Sequence, residues 1–191
     1  MKHPSIRELF DYWNERRGGR AMPERADIEP AAIRRVLADT FILSFEPAAG
    51  HPFRIAGTRV CALFGRELKG ESFLRLFSHR ARSDMGGLLA IVAEEAVGIV
   101  GSASESTADG CHRHLELLLL PLGHEGQGTA RLLGALAPSN SLQWPRERDL
   151  AALALDSYRF LIADAAIPPP AQVVVEKRGR PNLVVYEGGQ R

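Results

Sequence analysis

Between Phe53 and Phe77 the chain reads FRIAGTRVCALFGRELKGESFLRLF, and the spacing of its apolar residues changes within that stretch. Phe53-Arg54-Ile55 continues the alternation of a strand. From Gly57 onward the pattern is that of short helical pieces, punctuated by Gly65 and Gly70, each suited to end a turn or take a left-handed conformation. The flanks set the context. Upstream, Phe41, Leu43 and Phe45 alternate with Thr40, Ile42 and Ser44, and the turn-like PAAGHP leads back to Phe53, which predicts a hairpin. Downstream, residues 78–97 predict one longer helix with Met85, Leu88, Leu89 and Val92 on a single stripe. Gly86-Gly87 inside it lowers helix propensity by about 1 kcal/mol per glycine and would allow a backbone or ligand to approach closely.

Three β-like segments follow, at residues 99–107, 111–121 and 129–137, separated by ADG and GHEGQG, which are hairpin turn compositions. A chain that leaves strands for helices and returns to strands builds an α+β domain. The expected fold is a five-stranded antiparallel sheet from about Phe41 to Ala137 with helices on one face. The expected division is an N-terminal helical extension over 1–38, the sheet domain over 39–138, and a C-terminal extension over 139–191. That extension reads as a helix around 149–162, then PPP and a strand-like tail, QVVVEKRGRPNLVVYEGG.

In the N-terminal extension, Ser5 and Glu8 read as a capping box, and Ile6, Leu9, Phe10 and Trp13 recur at helical spacing until Gly18-Gly19. This stripe must bury against the sheet of its own subunit or against its copy in a second one. The second option makes these four residues the expected contact of a homodimer. Pro30 suits the first turn of a further short helix, with Ile33, Val36 and Leu37 as its stripe.

A net charge of +1 leaves no overall field for a polyanion, so nucleic acid is not an expected partner. The basic run Glu176 to Arg180 reads as a solvated tail. Cys61 and Cys111 form no CxxC pair, which fits a reducing cytoplasm. Neither an apolar leader nor a run of about 20 apolar residues is present, so secretion and membrane insertion are not expected.

With the elements in this order, GRELKGESFLRLF resembles the PAS (Per-ARNT-Sim) superfamily. The family's pattern of an apolar pair and Gly, Glu-Leu, a second Gly and an apolar run falls on Leu63, Phe64 and Gly65, on Glu67 and Leu68, on Gly70, and on Phe73, Leu74 and Leu76. FRIAGTRVCALFGREL, together with PERADIEP from Pro23 to Pro30, is similar to small single-PAS proteins of alphaproteobacteria. The resemblance implies a bacterial sensory or interaction module that binds a small ligand or a signalling partner.

Helices crossing an antiparallel sheet leave an apolar gap suited to a small, apolar or amphipathic molecule. Its helical wall is expected from Val60, Leu63, Phe64, Phe73, Leu76, Met85, Leu88, Leu89 and Val92, and its sheet wall from Leu115, Leu117 and Leu119. Each of these also reads as ordinary core. Arg59 and Glu67 are the charged pair of the signature, either bracing the short helices or offering Arg59 to an anionic group.

No cofactor is expected. Flavin-type members of the superfamily carry a reactive cysteine where this chain has Ser72, and Cys61 reads as a small buried residue. His79, at the very start of the long helix, is poorly placed for a haem. His112, His114 and Glu116 share one strand face and form the best metal constellation, though that face also reads as solvent or interface. GESFL lacks the closing Gly of a nucleophile elbow, and no phosphate-loop or dinucleotide fingerprint follows a strand, so no catalysis is expected. With no room for an output domain, a signal would pass by association. The competing reading is a ligand-free interaction scaffold whose gap is filled by its own side chains.

Overall fold

The computed structural model describes residues 1–106, 112–124, 129–139 and 150–161. The strands β1 (Thr40–Ser44), β2 (Phe53–Ala56), β3 (Gly98–Ser106), β4 (His112–Gly123), β5 (Thr129–Pro138) and β6 (Ala154–Leu161) form one sheet in the order β2-β1-β5-β4-β3-β6. Every neighbouring pair is antiparallel. The α+β class and the antiparallel sheet are as expected, with one strand more. That strand is β6, where a helix was expected around 149–162. Its register against β3, from Gly98 opposite Leu161 to Ser104 opposite Ala154, satisfies what would otherwise be an open edge.

The helices are α1 (Pro4–Arg17), α2 (Thr58–Leu63) and α3 (His79–Glu94). α2 and α3 cover the inner face, in one cluster with Phe41, Leu43, Ile99, Leu117 and Leu119. α1 covers the outer face, where Ile6, Leu9 and Trp13 pack in a second cluster with Ile42, Leu118, Leu120, Leu122 and Leu133. All five residues of β1 are therefore buried, on both of its faces. The first helix is thus a layer of the domain rather than an extension outside it.

Several local details differ from the sequence reading. The N-cap of α1 is His3, whose Nδ1 accepts from the Ser5 amide, and Ser5 lies inside the first turn with its hydroxyl on Asp39. The helix expected after Pro30 is a succession of tight turns ending in a 3-10 turn at Leu37–Asp39. Ile33 and Val36 still bury in the outer cluster, while Leu37 is exposed. A β-carbon on Gly86 would meet only Leu74 Cδ1, at 3.8 Å, and one on Gly87 would meet nothing, so no close approach explains the pair.

The segment 150–153 returns to the inner face. The Leu150 amide donates to Leu63 O, the Leu153 amide to Leu76 O and the Ser78 amide to Leu153 O, which seats both leucines in the inner core. The strand-like tail, the basic run at 176–180, Cys111 and the ADG turn lie outside the described residues, as does most of GHEGQG.

Candidate functional site

The residues expected to wall a pocket come together in the inner core. Val60 and Leu63 come from α2, Phe64 follows it, Phe73 and Leu76 lie on a 3-10 turn, and Met85, Leu88, Leu89 and Val92 come from α3. All are buried in one cluster with Leu115, Leu117 and Leu119 of β4. Leu115, Leu117 and Leu119 share the inner face because side chains alternate along the strand.

Four phenylalanines occupy the middle of this cluster. The Phe41 ring lies 5.5 Å from those of both Phe53 and Phe73. Phe73 is 5.7 Å from Phe53 and 5.3 Å from Phe77, in edge-to-face geometry. Such pairs contribute about 0.5–1.5 kcal/mol each beyond their burial. All four are among the largest fully buried side chains. Phe41, Phe53 and Phe77 were missed as members of this site. The period-2 pattern places Phe41 and Phe53 on one face of their strands, but only the fold brings that face against Phe73.

The Phe41 ring is admitted by Gly134 of β5, its direct partner across the strands. A β-carbon on Gly134 would fall 2.2 Å from Phe41 Cζ and 2.8 Å from Leu118 O. Glycine is required here for close approach, not for an unusual dihedral.

Arg59 is not in the compartment. Its side chain is 57% exposed, and its Nε and Nη2 donate to Asp39 Oδ1 and Oδ2 at 2.5 and 2.7 Å. Its expected companion Glu67 instead accepts from the amides of Leu68 and Lys69, both at 3.1 Å, and lies 3.6 Å from Cys61 Sγ. The Lys69 amide first, with that of Leu68, holds the Glu67 carboxyl below its usual range, and burial pushes the Cys61 thiol up. Ser72 donates to Gly50 O at 3.0 Å, a bond that ties two loops.

The histidine face of β4 does another job. Glu116 is buried and accepts from the amides of Lys2 and His3, at 2.9 and 2.6 Å, so it anchors the entry to α1. His114 is exposed, 3.7 Å from Asp156, and Asp156 also accepts from Ser104 Oγ. Among the described residues no group of three His, Cys, Asp or Glu is placed to hold a metal ion.

The dimer stripe is accounted for within the chain. Ile6, Leu9 and Trp13 lie on the chain's own sheet, with Trp13 Nε1 donating to Pro121 O at 2.9 Å. Phe10, stacked on Trp13, is partly exposed beside them.

The chain thus combines an antiparallel sheet, short helices on its inner face, an N-terminal helix on its outer face and an apolar inner core, an α+β architecture. A family model described as PAS domain matches residues 1–137, and the chain belongs to that family. Among solved structures it is similar to a light-oxygen-voltage domain studied with a flavin analogue, at 14% identity over 58% of this chain and 84% of that one, TM-score 0.45. It is similar also to the PAS domain of a protein from Colwellia psychrerythraea, at 14% identity over 58% and 97%, TM-score 0.42. A third is the PAS domain of an HTR-like protein from Haloarcula marismortui, at 18% identity over 56% and 90%, TM-score 0.40. At such scores these likenesses carry no argument of their own. No curated protein matches the sequence. Among the described residues no helix is long and apolar enough to cross a membrane.

Proposed function

We propose that this chain is a PAS-type signalling module that acts without catalysis, by contact at its surface, and whose inner compartment is closed by its own side chains. The observation that supports this is the cluster of Phe41, Phe53, Phe73 and Phe77, packed ring to ring where a ligand between helix and sheet would sit. Displacing any of these rings would forfeit well-packed contacts that an incoming molecule must replace. Signal transfer then rests on association with a signalling protein or a second copy. The covered stripe of α1 argues against Ile6, Leu9 and Trp13 as the place where a copy docks.

The test is a native mass measurement of the purified chain, followed by a thermal-shift screen with indole as an apolar probe. Wild type is expected to carry no bound small molecule and to ignore indole. Phe73→Ala opens space in the cluster and is expected to gain a rise in melting temperature with indole. A small apolar molecule carried in stoichiometric amount by wild type, and expelled by Leu89→Trp, would overturn the reading.

A further inference from the structure

Away from the core, the loop after β1 and the segment leading to α3 enclose a surface cleft of about 740 Å³. Its lining includes Gly50, Arg66, Glu71, Ser72, Arg75 and Arg82. Three arginines and a single carboxylate thus line the cleft, and that carboxylate is already engaged, with Arg66 Nε 3.1 Å from Glu71 Oε2. Arg82 donates its Nε to Phe77 O at 2.9 Å, and among the described residues its terminal nitrogens make no hydrogen bond or ion pair. Among the described residues the Arg75 side chain makes no hydrogen bond or ion pair.

The walls are held in place independently of any ligand. Gly50, with φ +70°, ends the 3-10 turn Pro47–Ala49, and its carbonyl accepts from both Ser72 Oγ, at 3.0 Å, and the Leu74 amide, at 3.3 Å. A β-carbon there would lie 2.2 Å from Ser72 Oγ, so the two walls touch at the base. An excess of two positive charges on a braced frame matches a phosphate monoester, which carries about −1.5 to −2 charges at neutral pH. Guanidinium forks bind its oxygens in pairs, more strongly than a point charge does. The volume exceeds that of phosphate alone and lies within the ~300–1,000 Å³ of small-ligand sites.

We propose that this cleft binds a phosphate monoester carried on a small molecule, with Arg75 and Arg82 as its principal donors. The proposal does not depend on the inner compartment being filled, because the two sites share no ligand-facing group.

Titration of the intact protein with ribose 5-phosphate at low salt, followed by calorimetry, tests it, with ribose and inorganic phosphate as comparison probes. Ribose 5-phosphate is expected to bind, ribose not at all, and inorganic phosphate more weakly. Arg75→Glu is expected to weaken binding at least tenfold with an unchanged melting temperature, since Arg75 is exposed and unbonded. Arg82→Lys should weaken it less. Arg80→Ala removes a nearby exposed charge that does not line the cleft and is expected to leave binding as it was. The proposal is overturned by any of three results: no binding, equal weakening in Arg80→Ala and Arg75→Glu, or inorganic phosphate binding as tightly as the sugar phosphate.

Discussion

Arg59 grips Asp39 through two nitrogens, and the second oxygen of the same carboxylate also accepts the Ser5 hydroxyl at 2.5 Å. Ser5 belongs to α1 on the outer face, Arg59 to α2 on the inner face, and Asp39 sits just before β1. One buried carboxylate therefore joins the two helical layers around the edge of the sheet. Burial pushes the Asp39 carboxyl up, but the bonds from Arg59 and Ser5 outweigh it and hold the group below its ordinary range.

Removing Arg59 should loosen both layers together. Arg59→Ala is expected to lower the unfolding free energy by about 1–3 kcal/mol, the usual effect of stripping a buried acceptor of its charged partner. Arg59→Lys is expected to restore only part, because an ammonium cannot bridge both oxygens. Urea denaturation of both variants and of Ser5→Ala measures this. Additive losses for Ser5→Ala and Arg59→Ala would show that the carboxylate does not couple the layers.

His51 should make stability fall in mildly acidic solution. It is buried with Nδ1 unbonded, at φ 57°, with its ring 5.1 Å from that of Phe45. Burial, opposed by the charge of Glu46, holds its pKa below the ordinary 6.5. The unfolded chain therefore takes up the proton first, and stability is full above pH 6.5 and declines as pH drops below it. His51→Asn, which tolerates positive φ, removes the titration. Melting temperatures between pH 8 and pH 5 should drop more steeply in wild type than in the variant, and parallel curves would refute the assignment.

Gly134→Ala should disrupt the aromatic cluster from the far side. The added methyl group meets the Phe41 ring and a β4 carbonyl, and overpacking of this kind costs about 1–3 kcal/mol or more. Near-ultraviolet circular dichroism is expected to lose part of its aromatic signal. A variant with wild-type stability would show that Phe41 repacks freely.

Trp13→Ala should destabilise the monomer rather than dissociate a dimer. The indole is 4% exposed and bonded to Pro121 O, and such truncations cost about 3–5 kcal/mol. Light scattering on Phe10→Glu is expected to give the wild-type mass. A loss of mass in that variant alone would restore the helix as a dimer contact.

Much of the architecture was legible in the sequence. The alternation of Phe41 and Leu43, the helical stripe of Met85, Leu88, Leu89 and Val92, and the return to strands at residue 99 follow from local spacing, which the backbone period reads directly. The PAS signature at Leu63 to Leu76 carried the family. A further signal went unused: the uninterrupted Leu117–Leu120 run of β4 says that both faces of that strand are covered, as continuous apolar strands do. It would have placed α1 on the outer face.

Other features belong to the tertiary structure alone. ALDSYRFL is amphiphilic enough to read as a helix, and it becomes β6 because β3 offers an open edge, where paired backbone groups outweigh local propensity. Arg59 chose Asp39 over Glu67 because 20 residues of chain fold back to bring the 3-10 turn at Leu37–Asp39 against α2, a distance no spacing rule reaches. Local periodicity determined which residues face inward; only the packing of two helical layers onto one sheet decided that the inward-facing phenylalanines meet ring to ring, since that depends on contacts between residues far apart in the chain.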